Sequence, residues 1–223
     1  MFDGSGKVAV FFEASGIVRD ALIAKGVAAV SVDLRPTERT GPHIVGNVFD
    51  FLDCGWIGAI MHPTCTYLCS SGLHWNYRNY GRNLMTDLSI HQVKILMASP
   101  IERWAIENPR GCIGTRIRPK SQSIQPHQFG HDASKETYLW LKNLPPLEID
   151  PAKYVAPRLV MDRGKLRERW GNQTDSGQNS LGPSDVRWAL RSETYQGIAD
   201  AFAENWAPLF GAPLERNLFG DVL

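Results

Sequence analysis

The sequence predicts an α/β fold: a mostly parallel, twisted sheet with helices on both faces, then an irregular basic C-terminal extension. Three observations point there. Short apolar runs at residues 7–12, 27–32, 57–61 and 103–106 have the length and the β-branched or aromatic character of buried strands. Helical spacing recurs between them, as at Ile17, Val18, Ala21 and Leu22. Several strand ends carry ionisable or small residues, and in open α/β sheets the carboxyl ends of the strands are where ligands bind. At 223 residues the chain can bury a full core, so a single domain over residues 1–223 is expected.

Bulk charge says little. With 24 Lys+Arg against 23 Asp+Glu the net charge is +1, and no global field selects a nucleic-acid or membrane partner. No apolar stretch approaches the roughly 20 residues a membrane span needs. Cys54, Cys65, Cys69 and Cys112 follow no charged-then-apolar leader, which predicts a cytoplasmic, reducing setting with thiols rather than disulfides. Cys65 and Cys69 are four apart, as are His127 and His131, but no second close cysteine pair completes a zinc pattern, so no metal is expected.

The first strand, residues 7–12, ends in Glu13, Ala14, Ser15 and Gly16, and a helix follows with Gly26 at its C-terminus. The second strand ends in Asp33, seventeen residues after Gly16. A small-residue turn after one strand and a carboxylate at the tip of the next is an arrangement that holds an adenosine, the carboxylate taking the ribose hydroxyls. GxGxxG is absent, and a plain βαβ unit without a ligand fits the same residues. After Pro36 come a third strand in HIVG and a helical turn around residues 49–52.

Residues 57–61 then form a strand buried on both faces, with His62, Pro63, Thr64 and Cys65 at its end. A free cysteine alone is more often core filling than chemistry. Residues 73–83, rich in aromatics and amides, read as a loop whose Arg78 and Arg82 suit stacking or phosphate contact, or simply solvent. Leu84, Leu88, His91 and Ile95 mark an amphipathic helix with His91 at the core edge, stopped by Pro100. A fifth strand ends in Glu107, Asn108 and Pro109. Two neighbouring parallel strands then end in a thiol and a carboxylate, a pair able to attack a ring carbon while gripping the ring's polar edge.

Between residues 110 and 135, Arg110, Arg116, Arg118, Lys120 and Lys135 face one acid, Asp132, and QPHQFGH closes the loop. This is the composition of a phosphate-facing surface. A helix is expected over residues 134–144. Residues 153–191 are basic and loop-rich, with eight Lys/Arg against four Asp/Glu, and a C-terminal helix over 192–211 starts at Ser192 with Tyr195, Ile198, Phe202 and Trp206 on one face. The last dozen residues read as a tail.

These motifs together resemble the compact phage-type DNA (cytosine-5) methyltransferases of the class I S-adenosylmethionine-dependent, Rossmann-like methyltransferase superfamily. FFEASGIVRDALIAKG is similar to the cofactor motif, SVDLRP to the segment with the acidic ribose ligand, HPTCTYL to the Pro-Cys motif and IENP to the Glu-Asn motif. IQPHQFGHDASKETYLWLKNLPPL and LRSETYQGIADAFAENW also look like the small phage group. The likeness runs over about residues 8–206. It implies catalysis by Cys65, Glu107 and Asn108, and S-adenosylmethionine binding by Phe12, Glu13, Ser15, Gly16, Asp33, Leu34, Asn47 and Pro63. Thr64, Arg110, Gln125, His127, Lys135 and Arg191 are the substrate-binding candidates. Thr64 stands where the family has proline, Ala14 and Asn47 also depart from its pattern, and no separate target-recognition domain is expected.

The implied reaction is addition of Cys65 to carbon 6 of cytosine, with Glu107 at ring nitrogen 3, followed by methylation of carbon 5. In duplex DNA the base has to be flipped out. Three alternatives stand beside it: the same chemistry on a free cytosine nucleotide, amino-group methylation, which His62 fits badly, and a non-catalytic cofactor- or DNA-binding module.

Overall fold

The computed structural model describes residues 2–182 and 194–211. Its main sheet joins β1 (Val8–Phe11), β2 (Ala29–Asp33), β3 (His43–Val45), β4 (Gly58–Met61), β5 (Trp104–Pro109), β6 (Gln122–Ile124) and β7 (Thr137–Lys142). Their order is β3-β2-β1-β4-β5-β7-β6. The first five are mutually parallel, and β7 runs antiparallel between β5 and β6. This is the Rossmann-like, mostly parallel sheet that the sequence predicts. Strand order reverses at β1, so the ligand crevice of such a sheet opens between the ends of β1 and β4.

Both faces are covered because the central strands are apolar on both sides. Val8, Val10, Ile60 and Ala105 pack on one face against α1 (Ile17–Ala24) and α5 (Gln196–Trp206), through Val18, Leu22, Phe202 and Trp206. Ala9, Phe11, Met61, Trp104 and Ile106 pack on the other against α3 (Tyr80–Met97) and its Ile90, Val93 and Leu96. Alternate residues of one strand thus serve opposite layers.

Several expectations are corrected. The helix foreseen at 134–144 is strand β7. Thr137, Tyr138, Leu139 and Trp140 favour a pleated surface, and Leu139 and Trp140 point into opposite core layers, an alternation a helix does not give. The loop at 110–135 contains a short α4 (Ile113–Arg116) and β6. The loop after Gly72 is mostly helical: α2 (Ser70–Leu73) runs into a 3-10 turn, His74–Tyr77, and α3 begins at Tyr80. Helix α3 exists, but turned on its axis: Leu84, Leu88, His91 and Ile95 are exposed, and Thr86, Ser89, Ile90, Val93 and Leu96 are buried. Thr86 and Ser89 tolerate burial because their hydroxyls donate to Tyr67 O at 2.9 Å and Met85 O at 2.8 Å.

The basic extension holds a two-stranded ribbon, β8 (Arg158–Asp162) and β9 (Lys165–Arg169). Its turn residues Arg163 and Gly164 have φ of 51° and 74°, the left-handed pair a tight hairpin demands. Helix α5 packs as foreseen and is preceded by Tyr195, while Ser192, Arg191 and the tail from Ala212 lie outside the described residues. Among the described residues no helix is long and apolar enough to cross a membrane.

Candidate active site

Three adjacent strands set the site. Phe11 on β1 aligns with Met61 on β4, and Met61 with Ile106 on β5, so Phe12, His62 and Glu107 follow at one level; the chain leaves the sheet at the first two, while β5, expected to end at Ile106, runs on through Glu107 to Pro109 beside β7. After β1 the backbone turns sharply, with Phe12 at φ 60° and Gly16 at φ 74°. The Glu13 carboxylate is buried and accepts from the amides of Val18 at 2.6 Å and Arg19 at 3.2 Å. It thereby caps α1, whose N-terminal amides favour an anion. Burial pushes its pKa up, opposed by His62 and by those amides. Both oxygens are engaged internally, so Glu13 shapes the turn. Ser15 is half-buried, its Oγ 3.4 Å from both Glu13 Oε1 and the Ile17 amide.

Arg19 is a residue the sequence reading passed over. Its side chain is wholly buried in the first turn of α1. It pairs with Asp20 at 2.8 Å and donates to Ser31 Oγ, Thr37 Oγ1 and the carbonyls of Arg39 and Thr40. Glu38 N also donates to Ala14 O at 2.8 Å. The loop after β2 is therefore sewn onto the turn after β1. A Cβ on Gly16 would lie 2.5 Å from this guanidinium, so glycine is required there for space as well as for φ.

On the cofactor side, Asp33 ends β2 with its side chain 14% exposed, accepting from Arg35 N at 2.9 Å, and Leu34 beside it is 74% exposed. Asn47 is exposed and caps the 3-10 turn Val48–Phe51, its Oδ1 accepting from Phe49 N at 3.3 Å. Phe12 meets Phe49 edge-on at 6.0 Å. A carboxylate, an uncovered apolar side chain, an amide and an aromatic edge at the ends of β1, β2 and β3 fit the ribose and ring of an adenosine group. Asp33, Leu34, Asn47, Phe12 and the Gly16 turn, which the resemblance implies for S-adenosylmethionine binding, thus lie at adjoining strand ends.

On the substrate side, Pro63 is buried and its carbonyl accepts from Asn108 Nδ2 at 2.7 Å. Asn108, 1% exposed, thus ties the β4 loop to β5 and is a positioning residue. Cys65 follows, half-buried, with Thr64 exposed beside it. Leu68 and Cys69 donate their amides back to Cys65 O at 3.0 and 2.9 Å. Gly111 lets the β5 loop pass against Leu68 O, where a Cβ would lie 1.9 Å away. Arg82, expected from the sequence to suit stacking, phosphate contact or solvent, donates to Thr66 O at 2.7 Å and Gly72 O at 3.2 Å and lies over the Tyr67 ring.

Glu107 is buried and accepts from His62 Nδ1 at 3.0 Å. Burial raises its pKa, but the His62 hydrogen bond, the Lys135 charge and the His62 charge together hold it below the usual carboxylate value. The Cys65 thiol is pushed well up, first by a side-chain hydrogen bond with Cys69, then by burial and by the charge of Cys69, with Lys135 pulling the other way. Lys135 therefore acts on both members of the pair.

The remaining substrate candidates divide. Gln125 Oε1 accepts from Lys135 N at 3.0 Å, so Gln125 places Lys135. Arg110 is exposed and pairs with Glu136 at 3.5 Å. His127 is 8% exposed and stacks on Trp170 at 4.0 Å, so most of its ring is packed. Burial lowers its pKa. Lys135 also lines a cavity of about 480 Å³ with Ser134, Asn172, Asn179 and Tyr195. Among the described residues no cluster of three His, Cys, Asp or Glu is placed to hold a metal.

No family model matches this sequence, and no curated protein matches it. Solved structures similar to the chain include a prophage-encoded E. coli protein described as a DNA modification methyltransferase, at 12% identity over 66% of this chain and 50% of that one, TM-score 0.38. The S. pombe Dnmt2 methyltransferase is 14% identical over 61% of this chain and 49% of that one, TM-score 0.40. The Entamoeba histolytica methyltransferase EhMeth is 12% identical over 68% and 58%, TM-score 0.45. This chain covers about half the length of each.

Proposed function

We propose that this protein transfers a methyl group from S-adenosylmethionine to carbon 5 of cytosine in DNA, through a covalent adduct of Cys65 at carbon 6. The observation that supports it most is the pairing at the ends of β4 and β5: a thiol and a buried carboxylate that both lie in the field of Lys135.

In the addition step the Cys65 S–H bond breaks and sulfur bonds to carbon 6. The carbon 5–carbon 6 π pair becomes a carbon 4–carbon 5 bond, the nitrogen 3–carbon 4 π pair moves onto nitrogen 3, and the thiol proton ends there, passed by the Glu107 carboxylate. S-adenosylmethionine supplies the electrophilic methyl group that carbon 5, now electron-rich, accepts. Loss of the carbon 5 proton and expulsion of the Cys65 sulfur, with the nitrogen 3 proton returning through Glu107 to that sulfur, restore the ring and the thiol. Asn108 keeps the loop in place through Pro63, and Lys135 favours the thiolate as it forms.

Polymeric DNA is favoured over a free nucleotide by the ribbon. In the β8–β9 register, Arg158, Arg169, Val160, Arg167, Asp162 and Lys165 share one face, four of the six being basic. A two-stranded ribbon fits the major groove, and such a face suits phosphates. The second reading, methylation of a cytosine nucleotide, is favoured by the 480 Å³ cavity, which has the size of a small-molecule site. The four free cysteines support a cytoplasmic, reducing setting.

The test offers labelled S-adenosylmethionine with duplex DNA or with deoxycytidine monophosphate. Transfer to DNA, lost in Cys65→Ser while cofactor binding persists, is expected. DNA binding of Lys165→Glu/Arg167→Glu should weaken, with a log–log salt slope smaller by about 1–2. Transfer to the nucleotide alone establishes the second reading, and cofactor or DNA binding without transfer to either establishes a non-catalytic module.

A further inference from the structure

His62 is the titratable residue the proposed reaction does not use, and it stands at the centre of the site. It leaves β4 between the β1 turn, which carries Glu13, and β5, which carries Glu107. Its Nδ1 is 3.0 Å from Glu107 Oε2, and both side chains are 11% exposed. Its Nε2 is buried and has no hydrogen-bond partner among the described residues. Glu13 feels the imidazole's charge, but its oxygens already serve the Val18 and Arg19 amides. The imidazole is therefore hydrogen-bonded to one carboxylate, the one assigned to the target base.

The bond constrains the chemistry. An ionised carboxylate can only accept, so in this contact His62 donates from Nδ1 to Glu107 Oε2 and fixes the plane of the carboxylate. Oε1 is then the oxygen left for the ring. An ionised Glu107 beside cytosine can take a proton and pass it to nitrogen 3, and the arrival of that proton there makes carbon 6 open to the sulfur.

We propose, resting on the methyltransferase reading above, that His62 is a positioning residue for the transfer: its Nδ1–H holds Glu107 Oε2 so that Oε1 receives the Cys65 thiol proton and shares it with cytosine nitrogen 3. No atom is left over. The proton leaves sulfur as the sulfur–carbon 6 bond forms, it reaches nitrogen 3 through Glu107, and His62 keeps its own proton throughout.

The charged and titratable groups around His62 are Glu13 from the β1 turn and Glu107 from β5, with Lys135 and Cys65 acting on Glu107 from the β7 approach and the β4 loop. Removing His62 takes away two of the three influences that hold Glu107 down, and its titration moves to higher pH. The acid limb of the kcat/KM profile should then move up as well.

The test compares wild type with His62→Ala and His62→Asn, whose side-chain amide can replace the Nδ1 donor without carrying its charge. In His62→Ala, kcat on DNA should fall about 10–100-fold, a general acid–base scale of effect, with KM within about threefold. The acid limb should rise, and His62→Asn should recover much of kcat. Carboxyl ¹³C titration of Glu107, which needs no methyl transfer, should show the same upward displacement. An unchanged Glu107 titration and acid limb in His62→Ala overturns the proposal, as does a His62→Asn variant that folds, binds cofactor and recovers nothing. If His62→Ala does not fold, the comparison of wild type with His62→Asn decides. Should wild type methylate neither DNA nor nucleotide, the functional reading fails, while the Glu107 titration still tests the His62 contact.

Discussion

Two loops flank the crevice, one after β1 and one after β4, and each is held by an arginine lying over a glycine. A Cβ at Gly16 would meet Arg19 at 2.5 Å, and one at Gly72 would meet Arg82 at 2.5 Å. The pins differ in burial. Arg19 is fully buried and surrounded by Asp20, two hydroxyls and two carbonyls. Arg82 is half-buried, bonded to two carbonyls and a ring. A buried cage fixes the turn proposed for the cofactor, while a half-exposed clamp at the rim holds the loop that carries Cys65, which under the proposed function would have room to adjust to a base. Preorganisation thus belongs to one side of the crevice and adaptability to the other.

The largest effect that tests this contrast is on stability. Arg19→Ala strips the cage of its charge and of five donor contacts, leaving Ser31 with His43 and Arg39 O with Thr37, which should cost about 3 kcal/mol. Urea unfolding measures it, and calorimetry should show weaker cofactor binding alongside. Arg82→Ala should cost about 1 kcal/mol or less, as expected of partly solvated hydrogen bonds. Equal losses for the two variants would erase the distinction between cage and clamp.

Next in size is an effect on rate. Loosening the loop that carries Cys65 degrades the geometry of attack, so Arg82→Ala should lower kcat about tenfold and leave cofactor affinity unchanged. A variant with wild-type kcat would show that the loop is set by Asn108 and Gly111 alone.

The same contrast explains what the sequence made legible. Strands β1, β2, β4 and β5, the α1 turn and the positions of Cys65, Glu107 and Asp33 follow from local patterns: short apolar runs, and chemistry at their ends. The pins do not. Arg19 sits among apolar residues of a helix face, and nothing local says that Ser31, Thr37 and Thr40 will surround it. Strand β7 was hidden because six residues of mixed aromatic and charged character acquire their period only between β5 and β6. Helix α3 misled by apolarity: Leu84 and Leu88 outrank Thr86 and Ser89 on any hydrophobic scale, and only the Tyr67 carbonyl, distant in sequence, makes Thr86 the buried one. The hairpin turn at Arg163 and Gly164 did carry a local signal, obscured by the polar sequence around it.

The smallest effect expected is on the nucleophile itself, and it separates the catalytic loop's own chemistry from its anchoring. Cys69 raises the Cys65 thiol in two ways, through their side-chain hydrogen bond and through its own charge, while Lys135 lowers it and Glu107 raises it. Cys69→Ala removes both Cys69 influences and leaves Lys135 in place. The Cys65 titration must then move to lower pH, so more thiolate is present at any given pH below the midpoint. Alkylation by iodoacetamide at pH 8 should quicken several-fold, because the thiolate is the reacting form. Cys65→Ser in the same background subtracts the contribution of Cys54 and Cys112. The Cys69 amide still donates to Cys65 O in the alanine variant, so the backbone turn is retained and the change reports on the thiol alone. An alkylation midpoint that stays put or rises would mean that burial, not Cys69, keeps the nucleophile protonated, and the adjustable loop would then have to open for the reaction to begin.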